Sequence, residues 1–164
     1  MKHAAALAWL ALLLGGCGSD SGSNAQAPTL ESAAIQRGLI ADPANTDVVG
    51  LYARDTDRLC VVPEGSNYRA GVSIDYGEGV ACSAGGSVAR VGNALRFVLG
   101  GGECAFNARF DGARVSFPAR LPAACAALCT GRASLAALNV DRLSNALSEA
   151  AAMRDARGRL PCRG

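Results

Sequence analysis

Cysteine is the residue type whose number and spacing first suggest chemistry in this chain. No Cys-x-x-Cys pair occurs, and the only histidine is His3, so the ligand sets usual for structural zinc are not represented. An even number of cysteines in an oxidising compartment favours disulfides over metal or redox roles, although spacing alone leaves the pairing open. Six cysteines follow residue 59, namely Cys60, Cys82, Cys104, Cys125, Cys129 and Cys162.

We expect these six cysteines to form three bridges. The predicted pairs are Cys60–Cys82 within a sheet, Cys129–Cys162 as a C-terminal clip, and Cys104–Cys125 between sheet and helix. We expect Cys125 and Cys129 not to pair with each other, because one helical turn holds their side chains in poor disulfide geometry. The cysteines are therefore assigned a structural role, with no metal and no cofactor.

Side chains that activate nucleophiles are scarce. Lys2 and His3 are the only lysine and histidine, and both lie in a segment that is expected to be removed on export. A chain without them has no Ser-His-Asp, Cys-His or Schiff-base site. Catalysis by carboxylates alone remains possible. A glycosidase, for example, needs only two carboxyl groups held about 5–10 Å apart in a cleft. The strand-edge carboxylates Asp75, Glu78 and Glu103 leave that alternative open, but nothing in the pattern shows that they converge.

Arginine supplies the candidate binding surface. Arg109 and Arg114 flank the predicted two-residue turn Asp111-Gly112, which would place them directly opposite each other on the solvent face of a hairpin. Opposed like charges are destabilising unless something neutralises them. With Arg96 on the preceding strand, three guanidinium groups could bind phosphate, a glycan carboxylate or an acidic loop. The alternative is a solvated face whose arginines pair with nearby Asp and Glu.

The N-terminal residues have the pattern of an export signal. Lys2 and His3 precede an apolar run, residues 4–14, that is too short to span the ~30 Å hydrocarbon core of a bilayer. A basic start, a short apolar core and small residues are the layout of a secretory signal. The run ends in Leu14-Gly15-Gly16-Cys17, which resembles the lipobox of bacterial lipoproteins. The resemblance covers only these first 17 residues, and a conventional signal peptide is the alternative.

The lipobox resemblance implies a location and a division of the chain. It implies removal of residues 1–16, acylation of Cys17, and a bilayer as the first partner. Gly18 rather than Asp after the cysteine implies the outer membrane, facing the periplasm, in a Gram-negative cell. Residues 17–28, rich in Gly, Ser and Asn, are expected to form a flexible tether, and residues 29–164 a single globular domain.

The remaining charge gives no reason to expect a nucleic-acid partner. The chain has 15 arginines against 14 acidic residues once Lys2 is set aside. Such a balance lacks the basic footprint of nucleic-acid binding. An anionic envelope component or a protein is therefore the expected partner besides the bilayer.

The elements that must position these residues are predominantly β. Turn signals recur between residues 55 and 112, typical of an antiparallel meander. We predict an α+β fold: a β meander or small barrel over about 48–117, followed by C-terminal helices over about 123–157, stapled by disulfides. The predicted strands are 48–54, 59–63, 68–76, 80–84, 87–91, 94–99, 104–110 and 113–117.

Three helical segments are predicted around this sheet. Thr29 is expected to cap a short helix that ends near Gly38. Residues 123–128 form a short Ala-rich helix, and Asp141 is expected to cap a longer one that reaches about Ala156. The leading interpretation is a membrane-anchored, non-enzymatic binding or structural module of the envelope. The alternatives are a carboxylate-dependent hydrolase of envelope glycans and a carrier with an apolar barrel lumen.

Overall fold

Residues 29–163 are described by a computed structural model, and they form a closed antiparallel barrel of eight strands. Each strand pairs with the next along the chain, and the last pairs with the first. The predicted small barrel is therefore confirmed, and the fold is mostly β. The predicted signal, Cys17 and tether lie outside the described residues. The strands are β1 (Gly50–Arg54), β2 (Asp57–Glu64), β3 (Asn67–Asp75), β4 (Ala81–Val91), β5 (Ala94–Leu99), β6 (Cys104–Phe110), β7 (Arg114–Ser116) and β8 (Asn139–Ser144).

Side chains fill the interior of this barrel. Along β5 and β6, buried apolar residues alternate with outward-facing ones, as expected for a sheet with one wet face. Phe97, Phe106 and Phe117 pack against one another in this interior, with ring centroids 4.6 to 5.6 Å apart. An eight-stranded barrel has an interior just wide enough for side chains to occupy. The lumen is accordingly a packed core.

The end at which the chain enters β1, called the entry end below, is covered by residues 42–49. Two inward-facing arginines hold this segment in place. Arg90 donates to the carbonyls of Ala44 and Thr46, each at 2.6 Å, and lies 5.4 Å from the centre of the Phe110 ring. Arg142 donates to the Val49 carbonyl at 2.9 Å and lies 5.1 Å from the Tyr52 ring centre. Carbonyl acceptors and aromatic faces thus satisfy two charges that point into the barrel.

The opposite end, called the disulfide end, is covered by the β7–β8 connection. A 3-10 helix, Ala123–Leu128, lies in this connection where a short helix was expected. The disulfides Cys82–Cys129 and Cys104–Cys125 fasten the connection to β4 and β6. Of the predicted pairs, therefore, only Cys104–Cys125 is correct.

The third bridge, Cys60–Cys162, lies on the outside of the barrel. There α2 (Leu147–Ala152) and the C-terminal residues pack against β1 and β2 around a small second core that includes Val62, Ala150 and Met153. The predicted pairs Cys60–Cys82 and Cys129–Cys162 are wrong. Cys60 belongs to this outer core and Cys82 to the barrel interior, so the sheet itself separates them.

The predicted break at Gly85-Gly86 is also wrong, because β4 runs unbroken from Ala81 to Val91. Gly85 lies opposite Gly71 of β3, and together they make room for Pro161, which packs on the outer face. At Gly86 an added Cβ would overlap the Val98 carbonyl of β5. The glycines therefore mark close approaches within a strand, as glycine in a strand interior often does.

The predicted helix from Asp141 to Ala156 is replaced by β8 and the much shorter α2. Val140 and Arg142 face inward, opposite Val115 and Tyr52, and so close the barrel. The Asp141 carboxylate binds arginines of neighbouring strands instead of capping a helix. At the N-terminal side, α1 (Leu30–Gln36) forms as predicted, with the Thr29 hydroxyl accepting from the Ser32 amide at 3.2 Å.

Candidate functional site

The arginines Arg96, Arg109 and Arg114 all lie exposed on the outer surface of β5, β6 and β7. Their register differs from the prediction by two residues. Arg109 lies opposite Ser116, because the Asp111 amide donates to the Arg114 carbonyl and places Gly112-Ala113 at the centre of the turn. A shift of two residues keeps every side chain on its predicted face. Arg109 and Arg114 are therefore diagonal neighbours and not directly opposed charges.

Arg114 has a local partner. Its guanidinium contacts Asp141 Oδ1 at 2.5 Å, while Arg54 Nη2 lies 3.0 Å from Asp141 Oδ2. Hydrogen bonds from Arg54 and Arg114 hold the pKa of Asp141 below its usual range. The side chains of Arg114 and Asp141 are 43% and 45% exposed, so this pair contributes little to stability. Arg114 thus forms a solvated ion pair with a nearby carboxylate, which was the alternative to a binding role.

Arg96 and Arg109 form what remains of the predicted patch, called the arginine face below. Among residues 29–163, no carboxylate lies within ion-pair distance of either guanidinium. Arg96 is opposite the exposed Asn107, and Arg109 is opposite Ala94. These registers make the two arginines diagonal neighbours, with Cβ atoms about 7–8 Å apart or somewhat closer. The guanidinium groups of Arg96 and Arg109, beside the amide of Asn107, can donate hydrogen bonds to both oxygens of a carboxylate or phosphate.

The carboxylates that left the hydrolase alternative open lie at two turns of the disulfide end. Asp75 is the last residue of β3 and Glu78 lies in the β3–β4 turn, where Asp75 Oδ1 accepts from the Gly77 amide at 2.9 Å. Glu103 belongs to the β5–β6 turn. All three are exposed to solvent. The structure gives these carboxylates no enclosing cleft.

Sequence reasoning missed Asp57, whose carboxyl is half-buried at the start of β2. Burial and the nearby charge of Asp55 raise its pKa, opposed by Arg58 and Arg54. Its Oδ1 is buried without a hydrogen-bond partner among the described residues. The signal was the Asp55-Thr56-Asp57 turn, but the sequence does not show which of the two carboxyls is turned toward the barrel.

One cavity of about 180 Å³ lies beside the 3-10 helix. It is smaller than the ~300–1,000 Å³ of ordinary ligand sites. No ionisable side chain lines it, so it offers nothing for acid–base chemistry. Its lining is Leu121, Pro122, Ala123, Cys125, Ala126, Cys129, Ala133, Ser134, Leu135 and Ala136.

Two features that would indicate a function are absent from the described part of the chain. Residues 29–163 contain no cluster of three or more His, Cys, Asp or Glu that could hold a metal ion. No helix formed by these residues has the length and apolarity needed to cross a membrane. Comparison with protein-family models, curated proteins and solved structures gives no significant match. The candidate site therefore rests on the geometry of this chain alone.

Proposed function

We propose that this chain is an exported lipoprotein, anchored through acylated Cys17, whose barrel is a non-enzymatic binding or structural module of the cell envelope. The observation that carries the proposal is the packed interior, covered at both ends. Phe97, Phe106 and Phe117 are buried against one another inside the barrel, so their rings occupy space that a carried ligand would need. Recognition therefore belongs to the outer surface.

The disulfides support an envelope location. Three bridges connect six cysteines, and such bonds persist in exported proteins while the cytosol keeps thiols reduced. They agree with the export signal that we propose for residues 1–16. The outer membrane, facing the periplasm, is the location we propose, from Gly18 after Cys17.

The arginine face is the binding surface that we propose. Arg96 and Arg109 are exposed, diagonal neighbours, and unmatched by a carboxylate among residues 29–163. The partner that fits is an anion with carboxylate or phosphate groups, presented by an envelope polymer or an acidic protein loop. Binding of this kind weakens as salt rises, because the surface is open to solvent.

The anchor is tested by Cys17→Ser. We expect the variant to lose incorporation of radiolabelled palmitate, since only a thiol accepts the thioether-linked lipid. The wild-type chain and a matched Ser19→Ala variant should incorporate label equally. Label retained in Cys17→Ser would refute acylation at this residue.

The arginine face is tested by Arg96→Ala combined with Arg109→Ala. Each charge-assisted contact is worth ~1.5–3 kcal/mol, so affinity for immobilised polyglutamate or polyphosphate should fall at least tenfold. The matched control is Arg120→Ala combined with Arg132→Ala, which removes the same charge from exposed positions at the disulfide end. Equal weakening by both double variants would mean that net charge alone is sensed, and the arginine face would not be the site.

A further inference from the structure

Large apolar side chains are exposed unevenly over this barrel. Tyr76 is the exposed example at the disulfide end, in the β3–β4 turn. Leu30 of α1 and Leu147 of α2 are exposed on the helices outside the barrel. At the entry end four further residues are exposed: Leu39 by 74%, Ile40 by 46%, Val91 by 57% and Leu143 by 65%. We call these four residues the apolar rim. Scattered apolar residues need no explanation, but a group at one end of a molecule marks an interaction surface.

Backbone contacts link the segments that carry the apolar rim around the entry end. The Phe110 amide donates to the Asn93 carbonyl at 3.4 Å, which joins the β6–β7 turn to the β4–β5 turn that follows Val91. The Arg142 amide donates to the Ala113 carbonyl at 2.7 Å, which joins the β6–β7 turn to β8. Leu143 is the residue of β8 that comes after Arg142. A Cβ added at Gly112 would lie 3.3 Å from the Cβ of Ala41, the residue after Ile40.

The geometry points to the bilayer surface as the occupant of this end, and we propose that the apolar rim seats on the membrane that holds the acyl chains of Cys17. This inference rests on the proposed lipid anchor. The 12 residues 17–28 can span at most about 40 Å when fully extended. The chain then passes through α1 and residues 39–41 to the entry end. The disulfide end lies one barrel length farther on, about 20 Å for a six-residue strand such as β5.

Charge at the entry end permits this contact without dominating it. Arg109 is exposed there and can approach anionic headgroups. Opposing it are Asp42, Asp47 and Asp111, whose carboxylates accept backbone amide hydrogens of residues 44, 49 and 113. With both signs present, apolar contact at the headgroup boundary must carry most of the attachment. Rim contact should therefore persist on vesicles without anionic lipid.

Tryptophan fluorescence can test the proposal, because the only tryptophan of the sequence, Trp9, lies in the segment that export is expected to remove. In the processed chain, Val91→Trp and Leu143→Trp therefore each place a single indole on the apolar rim. Tyr76→Trp, an exposed position at the disulfide end, is the matched control. The acylated chain that begins at Cys17 is bound to vesicles of phosphatidylethanolamine and phosphatidylglycerol (3:1) with dibrominated acyl chains. We expect emission from positions 91 and 143 to be quenched at least twofold and shifted to the blue, and emission from position 76 to be unchanged.

The outcomes separate this inference from the proposed function. A chain that fails to float with vesicles contradicts the lipid anchor, and with it this inference. A chain that floats but is quenched no more at positions 91 and 143 than at position 76 overturns rim contact and leaves the anchor standing. A blue shift without lipid that grows with protein concentration would mean that a second copy covers the rim, which also overturns the proposal. Equal quenching in vesicles of neutral phosphatidylcholine supports apolar rather than electrostatic contact.

Discussion

Gly71 offers a sharp test of how the C-terminal residues are fastened to the barrel. A Cβ at this position would lie 2.5 Å from Pro161 Cγ and 2.8 Å from Cys60 Sγ. Neither neighbour can move away easily, because the proline ring is rigid and the Cys60–Cys162 disulfide holds both. Gly71→Ala should therefore force the C-terminal segment away from β3.

The expected loss follows from two opposing effects. Overpacking at a fixed site costs about 1–3 kcal/mol. Replacing glycine by alanine also restricts the unfolded chain, which returns about 0.4–1 kcal/mol. Gly85, the partner of Gly71 across β3 and β4, is the matched control, since the nearest atom to its added Cβ is the Pro161 carbonyl oxygen at 3.4 Å. Gly85→Ala should thus be neutral or slightly stabilising.

Urea unfolding of both variants under oxidising conditions measures this difference. The free energy of unfolding should be lower for Gly71→Ala than for Gly85→Ala by about 1–3 kcal/mol. At about 3–5 °C per kcal/mol for a domain of this size, melting temperatures should separate clearly. Pro161→Gly added to Gly71→Ala should recover part of the loss. Equal stability of the two alanine variants, or no recovery, would refute the packing argument.

Two further predictions concern buried groups. Burial raises the pKa of Asp155, but hydrogen bonds from Arg159 and Arg157 outweigh it and hold that pKa below its usual value. The ionised Asp155 carboxylate therefore contributes its full stabilisation above the unfolded pKa of about 3.9, and this contribution is lost as pH falls through the lower pKa of the folded state. The urea midpoint of the wild-type chain should consequently drop more between pH 5 and pH 3 than the midpoint of Asp155→Asn. For Tyr52, burial raises the pKa to about 12, and its hydroxyl donates to the Val48 carbonyl at 2.8 Å. In an alkaline absorbance titration one tyrosine should therefore ionise last, and Tyr52→Phe should remove that step. The same variant should lose about 0.5–1.5 kcal/mol of unfolding free energy in a thermal melt. A late ionisation step that persists in Tyr52→Phe would contradict its assignment to Tyr52.

Local patterns in the sequence were sufficient for much of the barrel. Alternation of apolar and polar residues predicts β5 and β6 with the bounds observed, and Thr29 predicts the start of α1. These features depend on neighbours in the chain, where the period-two pattern and capping act directly. The exposure of Arg96 and Arg109 follows from the same alternation.

Features that depend on distant residues were not predictable in this way. Residues 139–144 carry an inward-facing arginine, so they lack the apolar alternation of a strand, and only pairing with β1 and β7 explains them. The partner of Arg114 was missed for the same reason, because Asp141 lies on that strand. Gly85 and Gly86 resemble a turn until Pro161 is placed against Gly85 and the Val98 carbonyl against Gly86. Disulfide pairing likewise depends on which face of the sheet each cysteine occupies.

The order of the three bridges has a consequence for the protein once a protease has cut it. Cys60, Cys82 and Cys104 pair with Cys162, Cys129 and Cys125, so the bridges are nested one inside another. A cut at Gly112 leaves all three bonds joining the two fragments, and a cut at Gly65 still leaves one. Either nicked form should run as a single species on a gel until a reductant is added. Only cleavage before Cys60 separates the bulk of the barrel from a lipid at Cys17, so the stretch between them is where release from the membrane would be decided.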